Sequence, residues 1–196
     1  MSGDLSIVRH ETADRGPEVE PLRDGLSPRR VVLVPGVLAL LPEYAGLADP
    51  VAELRAACRE AVAWLGDGPV TVVADDQGRR VAEHLLGERR ALTRGGDHAA
   101  YLVVANGSAC RSEKAPGHLD ERAFGFDEDL DKALRTPDRE ALAGLDEALG
   151  AELWAGNLPG LRALGDLLAG AGPAVVDYAD DPFGVQYWVT RWTCES

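Results

Sequence analysis

Short apolar runs alternate with segments of helical periodicity along this chain. Residues 31–34 form an apolar run that ends at Pro35-Gly36, which is typical of a buried strand entering a loop. Residues 69–74 and 99–105 form two further runs of the same kind. The pattern therefore predicts a strand at each of these three positions.

Between the strands, apolar residues recur at spacings of three and four, which is typical of amphipathic helices. Asp49-Pro50 offers an N-cap followed by a proline at the first helical position, so we expect a helix that ends before Gly66. Its apolar stripe comprises Val51, Leu54, Cys58, Ala61, Val62 and Leu65. Further helices are predicted over residues 79–86, 126–134, 137–153 and 158–169, the third of these with Thr136 as its N-cap and Pro137 at its first position.

The alternation predicts an α/β fold, a three-layer α/β/α domain with a largely parallel or mixed central sheet. Residues 174–178 and 185–192 form its last two strands, joined in a hairpin. Alternation places Trp188 and Trp192 on one face of the final strand and Tyr187 on the other. Residues 1–30 are polar and rich in turn formers, with residues 5–8 as a candidate edge strand, which predicts a flexible tail before a single domain over residues 31–196.

The net charge of the chain excludes some classes of partner, and its cysteine content indicates the cellular compartment. The 196 residues include 20 Lys and Arg against 33 Asp and Glu, a formal net charge of −13. Nucleic acid and anionic lipid surfaces are bound mainly through Lys and Arg, so neither is expected as a partner. Three widely separated cysteines indicate a reducing compartment, and no apolar stretch has the length of a signal peptide or membrane span. We therefore expect a cytoplasmic protein.

The loop over residues 106–120, after the third strand, is richest in candidate chemistry. Ligands of open α/β sheets bind beyond the carboxyl ends of the strands, and small residues let the backbone approach a ligand closely. We expect Arg111, Lys114 and His118 to hold a carboxylate or phenolate by charge-assisted hydrogen bonds. The competing interpretation is that the charged residues of the loop pair among themselves and only hold its shape. The predicted ligand-binding set is Ser108, Arg111, Lys114, His118 and Asp120.

The histidines, Ser108 and Cys110 lack the neighbouring residues that a metal site or a catalytic nucleophile requires. None of the four histidines belongs to an arrangement diagnostic of a metal site. Ser108 lacks the G-x-S-x-G elbow of an α/β-hydrolase nucleophile, so a serine hydrolase is not expected. Cys110 has no base or resolving cysteine beside it in the sequence and is interpreted as an ordinary thiol. No catalytic residue is assigned from the sequence.

Two segments carry a family resemblance: N-G-S-A-C-R-S-E-K-A-P-G-H-L-D-E-R-A-F-G-F-D after the third strand, and D-D-P-F-G-V-Q-Y-W-V near the end. Over residues 31–192 the chain resembles a group of actinobacterial proteins similar to the B-type subunits of class III extradiol ring-cleavage dioxygenases. The resemblance implies a three-layer α/β/α domain in which two histidines and a glutamate hold Fe(II). Another histidine of that family serves as acid and base while O₂ is inserted into a catechol ring.

When this chain is compared with the family position by position, the resemblance also implies that two functional histidines have been lost. Gly36 occupies the place of the first metal histidine, between Pro35 and the segment Leu41-Pro42-Glu43, and Ala109 occupies that of the acid/base histidine. The resemblance suggests Glu152 as the counterpart of the metal glutamate, and it places the second metal histidine on neither His84 nor His98. Neither glycine nor alanine can ligate iron or move a proton through its side chain, so the standard mechanism is lost. Asp120, Arg122, Phe126 and Asp127 match a pattern that looks like shared scaffold.

Three hypotheses follow. The leading one is a protein similar to the B-type subunits of extradiol dioxygenases, with a degraded iron site and no cofactor, which binds a small anionic or aromatic ligand or serves as an assembly component. The first alternative is an active Fe(II)-dependent ring-cleavage dioxygenase, or another metal-dependent oxidoreductase, with a rearranged site made of His98, His118 and Glu152. The second alternative is a structural homo-oligomer whose interface is formed by Tyr187, Trp188 and Trp192.

Overall fold

The computed structural model of the chain describes residues 28–44, 49–89 and 98–195. The predicted tail over residues 1–30 lies outside the described residues except for its last three, and the candidate edge strand over residues 5–8 lies outside them entirely. The first strand begins at Arg29, so the end of the predicted tail belongs to the sheet.

Five strands form one mixed sheet in the order β2-β3-β1-β5-β4. The first three strands of the chain run parallel, β5 runs antiparallel to β1, and β4 runs antiparallel to β5. The strands are β1 (Arg29–Val34), β2 (Val70–Val73), β3 (Ala99–Val104), β4 (Val175–Asp180) and β5 (Tyr187–Cys194). The predicted strands and the hairpin are therefore confirmed.

The described part of the chain contains six α-helices, arranged on both faces of the sheet. One face packs against α1 and α2, and the other against α3, α4 and α6, which gives an α/β fold with three layers. No helix in the described residues is both long enough and apolar enough to span a bilayer. The helices are α1 (Ala52–Trp64), α2 (Asp76–Glu88), α3 (Arg122–Arg135), α4 (Arg139–Ala143), α5 (Glu147–Glu152) and α6 (Leu158–Leu167).

Helix α1 shows how a regular apolar stripe determines burial. The predicted start of this helix is wrong, because its N-cap is Val51 and Pro50 lies before the helix rather than at its first position. Asp49 accepts a hydrogen bond from the backbone N–H of Val51 at 3.1 Å in the turn that precedes the helix. All six residues of the predicted stripe, Cys58 included, are at most 2% exposed. The amphipathic pattern of this segment is confirmed.

The single helix predicted over residues 137–153 is wrong. The chain forms α4 and α5 instead, because an aspartate caps the start of each. Asp138 accepts a hydrogen bond from the backbone N–H of Ala141, and Asp146 accepts one from Leu149, both at 3.0 Å. Gly144 ends α4 between them. Thr136 is the C-cap of α3 rather than the N-cap of a new helix, and Pro137 precedes Asp138, the N-cap of α4.

The aromatic residues of β5 lie inside the domain. Alternation is confirmed, because Tyr187 packs in the core beside α1 and α2 while Trp188 and Trp192 pack in the core on the opposite face. The indole N–H of Trp188 donates to Asp131 Oδ1 at 2.9 Å, and that of Trp192 donates to the carbonyl of Leu134 at 3.0 Å. All three side chains are at most 3% exposed, so the interface predicted for them is wrong.

The connections of β1 and β3 position the candidate site. These neighbouring strands are parallel, yet β1 leads to α1 on one face of the sheet and β3 leads to α3 on the other. Loops that part in this way open a crevice at the carboxyl ends of the strands, where α/β folds place their ligands. The turn between β4 and β5 reaches the same end, because β5 starts beside the end of β1.

Candidate functional site

The crevice directly above β1 and β3 is bridged by hydrogen bonds of the protein itself. The backbone N–H of Gly36 donates to Asn106 Oδ1 at 2.9 Å, and Gln77 donates to the carbonyl of Gly36 at 2.7 Å. Asn157 Nδ2 donates to the carbonyl of Val104 at 2.8 Å. The loops at this end of the sheet are thus fixed before any ligand arrives.

Asp127 holds the loop between β3 and α3 in place. Its carboxylate accepts hydrogen bonds from the Ser108 backbone N–H at 2.8 Å, from Ser108 Oγ at 2.6 Å and from Arg111 Nη1 at 3.1 Å. The carboxylate is 2% exposed, and this burial raises the pKa of Asp127, while the hydrogen bonds from Ser108 and Arg111 oppose the rise. Ser108 is fully buried and bonded to Asp127, so it acts as a structural residue.

Gly107 is required for this close approach. A Cβ atom on Gly107 would lie 2.6 Å from Asp127 Oδ1, 2.8 Å from Gln186 Cβ and 2.8 Å from Trp188 Cη2. The three neighbours belong to α3, to the end of the hairpin and to β5. The loop therefore reaches Asp127 only because residue 107 has no side chain.

Arg111 lies between two carboxylates and one aromatic ring. Its Nε donates to Asp181 Oδ2 at 2.5 Å, its Nη1 donates to Asp127, and its guanidinium lies 4.8 Å from the centre of the Phe124 ring. Among the described residues, none accepts a hydrogen bond from Nη2. The loop is thus held by ion pairs, as one interpretation of the sequence proposed, but the partners of Arg111 lie on α3 and the hairpin rather than in the loop.

The other charged residues of the predicted set lie toward solvent. Lys114 is exposed. His118 is 72% exposed, and its Nδ1 lies 2.9 Å from the carbonyl of Glu113, whose carboxylate is 3.4 Å from Nε2. Asp120 pairs with Arg122 at 2.7 Å, and the hydrogen bonds from Arg122 lower the pKa of Asp120. Arg111 is thus engaged with Asp127 and Asp181, whereas Lys114 and His118 are exposed to solvent.

A cleft of about 380 Å³ opens beside this network, between α3 and the strands β4 and β5. Asp131 lies in its wall and accepts hydrogen bonds from Trp188 Nε1 and, at 2.6 Å, from Arg135 Nε. Glu128 lies three residues before Asp131 on α3, and its side chain is 68% exposed. The lining comprises Arg111, Phe124, Asp127, Glu128, Asp131, Arg135, Ala179, Gln186 and Trp188.

A second cleft, of about 570 Å³, lies at the opposite end of the sheet. Its lining includes Trp64, the turn over residues 170–173 and Arg191. Arg191 is engaged in a two-bond ion pair with Asp177, with both distances 2.6 Å. Although this cleft is larger, it lies at the amino ends of the parallel strands, away from the end where α/β folds bind ligands. We therefore take the smaller cleft as the candidate site.

The described residues do not fit the iron site that the family resemblance implies. Gly36 and Ala109 offer no ligating side chain, and no group of three or more His, Cys, Asp or Glu side chains in the described chain is placed to hold a metal ion. His98 immediately precedes β3, with Nε2 3.1 Å from the carbonyl of Leu65, whereas His118 lies in the loop beyond the other end of that strand. Glu152 pairs with Arg122 at 2.8 Å. The rearranged set of His98, His118 and Glu152 is thus not brought together.

The interpretation of Cys110 as an ordinary thiol is supported by its surroundings. Its side chain is 2% exposed, and Sγ donates to the carbonyl of Leu153 at 3.4 Å. Burial raises the pKa of Cys110, and the charges of Asp120 and Asp127 add to the rise. A thiol in this environment stays protonated and unreactive.

Sequence reasoning missed the cleft residues of α3. Asp127 matches only the shared scaffold of the resemblance, and nothing in the sequence pattern singled out Glu128, Asp131 and Arg135. The available signal was the helical spacing of Asp127, Asp131 and Arg135, which places them on one face of a helix. Comparison with known proteins gives no further guide, because no protein-family model matches this chain and no curated protein matches it.

Proposed function

We propose that this chain is a non-catalytic protein, similar to the B-type subunits of class III extradiol dioxygenases, that binds a small aromatic ligand with hydroxyl groups in the cleft beside α3. The observation that carries the proposal is the composition of the cleft wall. It places an exposed aromatic ring, a guanidinium, the exposed carboxylate of Glu128 and the partly exposed carboxylate of Asp131 together at the carboxyl end of the sheet. The α/β fold and the sequence resemblance support the same proposal.

The groups of the cleft match a phenol or catechol in hydrogen-bonding capacity. The Phe124 ring is 43% exposed and offers a face on which an aromatic ring can pack. Glu128 pairs with Lys132 through Oε1, so its other oxygen and the remaining lone pairs of Asp131 accept hydrogen bonds from ring hydroxyls. Arg111 Nη2 donates a hydrogen bond to a hydroxyl oxygen. A ligand with two hydroxyl groups uses both kinds of partner.

Charge favours a neutral ligand over an anion. Arg111 and Arg135, the two cations that line the cleft, are already paired with Asp127, Asp181 and Asp131. Glu128 pairs with Lys132 at 2.8 Å, so Asp127, Asp131, Asp181 and Glu128 together face three cations, and one negative charge remains in excess. A carboxylate ligand would therefore be repelled by the excess negative charge of the cleft. A neutral catechol carries no net charge and is not repelled.

Calorimetric titration with catechol, phenol and benzoate tests the proposal. We expect catechol to bind at one site, phenol to bind more weakly and benzoate to bind weakest. Phe124→Ala and Glu128→Gln should each weaken catechol binding about 5-fold or more, since each removes a direct contact. Lys114→Ala is the matched control, because Lys114 belongs to the loop but not to the cleft wall. Wild-type affinity in both cleft variants, or tighter binding of benzoate, would contradict the proposal.

We also propose that the protein resides in the cytoplasm. Cys58, Cys110 and Cys194 are all free and buried. Free thiols in a stable domain suit a reducing compartment. Cell fractionation with an antibody against the protein tests this, and recovery outside the cytoplasm would refute it.

A further inference from the structure

Gln186 places a buried side-chain amide in the wall of the cleft. Its side chain is 8% exposed and belongs to the lining of the cleft, just before β5 begins. Its Nε2 donates to the carbonyl of Tyr187 at 3.1 Å and to that of Asp180 at 3.5 Å. Among the described residues, none donates a hydrogen bond to Gln186 Oε1.

Two backbone carbonyl groups fix which way this amide points. A carbonyl oxygen only accepts hydrogen bonds, so the NH₂ end of Gln186 faces Tyr187 and Asp180, and rotating the amide by half a turn would set Oε1 against both carbonyl oxygens. Oε1 is not among the buried side-chain atoms that lack a partner in the described structure, so it is accessible from the cleft. The cleft wall therefore presents a hydrogen-bond acceptor at this position.

The backbone of Gln186 is held by the loop between β3 and α3. Its N–H donates to the carbonyl of Ser108, and its carbonyl accepts a hydrogen bond from the N–H of Gly107, both at 2.9 Å. A Cβ built on Gly107 would lie 2.8 Å from Gln186 Cβ and 2.6 Å from Asp127 Oδ1, so Gln186 lies close to the carboxylate that binds Arg111. The acceptor is thus positioned before a ligand arrives, at the Arg111 end of the cleft.

We infer that Arg111 Nη2 and Gln186 Oε1 together hold one hydroxyl group of the ligand, and that Gln186 selects a free hydroxyl group over its methyl ether. The inference rests on the proposed function and narrows the class of ligand. A hydroxyl group accepts a hydrogen bond from the guanidinium and donates one to Oε1. An ether oxygen only accepts, and its methyl group would cover Oε1 and leave it without a partner. A site that hydrogen-bonds a hydroxyl group rejects analogues that leave its own polar groups unpaired.

The ligand class that follows is an aromatic ortho-diol with both hydroxyl groups free. Glu128 and Asp131 accept a hydrogen bond from one hydroxyl group, and Gln186 accepts one from the other. Because an acceptor faces each position, neither hydroxyl group can be methylated without loss of a hydrogen bond. ortho-Aminophenol keeps a donor at both positions, whereas guaiacol, the monomethyl ether of catechol, keeps only one.

Calorimetric titration of the full chain with catechol, ortho-aminophenol and guaiacol tests the inference. We expect ortho-aminophenol to bind within about 3-fold of catechol, and guaiacol to bind about 10-fold or more weakly. Gln186→Met keeps the length of the side chain and removes the acceptor, so the difference between catechol and guaiacol should fall to about 3-fold or less. Gln77→Met is the matched control, because Gln77 also donates to a backbone carbonyl, that of Gly36 at 2.7 Å, but does not line the cleft.

Failure of this inference and failure of ligand binding are distinguishable. Equal binding of catechol and guaiacol by the wild type, or an unchanged difference in Gln186→Met, would overturn the inference while catechol binding stands. If Gln186→Met does not fold, ortho-fluorophenol decides with the wild type, because its fluorine is as small as a hydroxyl group but donates no hydrogen bond. We expect it to bind about 10-fold more weakly than catechol, and equal binding would overturn the inference. Absence of catechol binding to the wild type would refute the proposed function and this inference with it.

Discussion

Replacing Gly107 by alanine should disrupt the packing that holds the loop on Asp127. The added methyl group would meet atoms of Asp127, Gln186 and Trp188, each at less than 3.0 Å. These atoms belong to three different parts of the core, so no single side-chain rotation relieves all three contacts. Gly107→Ala should therefore force the loop away from α3.

The expected loss follows from the cost of overpacking. Adding a methyl group to a filled core costs about 1–3 kcal/mol, and three simultaneous contacts place Gly107→Ala near the upper end, at about 3 kcal/mol. In a domain of this size that corresponds to a fall of roughly 6–12 °C in melting temperature. Urea denaturation followed by circular dichroism measures the free energy of unfolding directly.

Gly125→Ala is the matched control. Gly125 lies within α3, and a Cβ there would meet nothing within 4 Å. Alanine has the higher helix propensity, so this variant should be more stable than the wild type by about 0.5–1 kcal/mol. Equal stability of the two variants, or a loss below about 1 kcal/mol for Gly107→Ala, would refute the packing described around Asp127.

Three further predictions concern the core and the surface ion pairs. Thr190 Oγ1 is buried without a hydrogen-bond partner in the described structure, so Thr190→Val should raise the free energy of unfolding by about 1 kcal/mol in urea titrations; a loss would show that the hydroxyl is satisfied. The three buried thiols should not react with a disulfide reagent in the native protein and should all react after unfolding; a fast native reaction would contradict their burial. Hydrogen bonds from Arg122 lower the pKa of Asp120 below its ordinary value of 3.8. Their contribution to the free energy of unfolding is therefore complete above pH 3.8 and is lost as the pH falls through the lowered pKa. Arg122→Gln should therefore flatten the fall in melting temperature at acidic pH, and an unchanged acid profile would count against the pair.

Local patterns in the sequence predicted the elements that depend on local physics. The stripe of α1 has regular spacing and a turn at each end, and every residue of the stripe is buried as expected. The segment over residues 137–153 also carries leucines at helical spacing, but Asp138 and Asp146 each bond to a backbone N–H three residues ahead. Those caps compete with helix continuation, and a stripe of leucines does not reveal which of the two wins.

The candidate site was less predictable because its contacts are distant in sequence. The predicted set included Arg111, whose partners Asp127 and Asp181 lie 16 and 70 residues away in the sequence. No local pattern encodes pairing over such separations. Charge alone suggested that Arg111, Lys114 and His118 would converge on an anion, whereas the fold uses Arg111 to join the loop, α3 and the hairpin.

Catechol binding measured with and without Fe(II) tests the central claim most directly. The protein is stripped of metal and titrated anaerobically with Fe(II) and then with catechol, and oxygen is admitted at the end. We predict that catechol binds equally well in the presence of a chelator and that oxygen produces no ring-cleavage absorbance. One-to-one binding of Fe(II), catechol binding that depends on it and ring cleavage on exposure to oxygen would contradict a non-catalytic role.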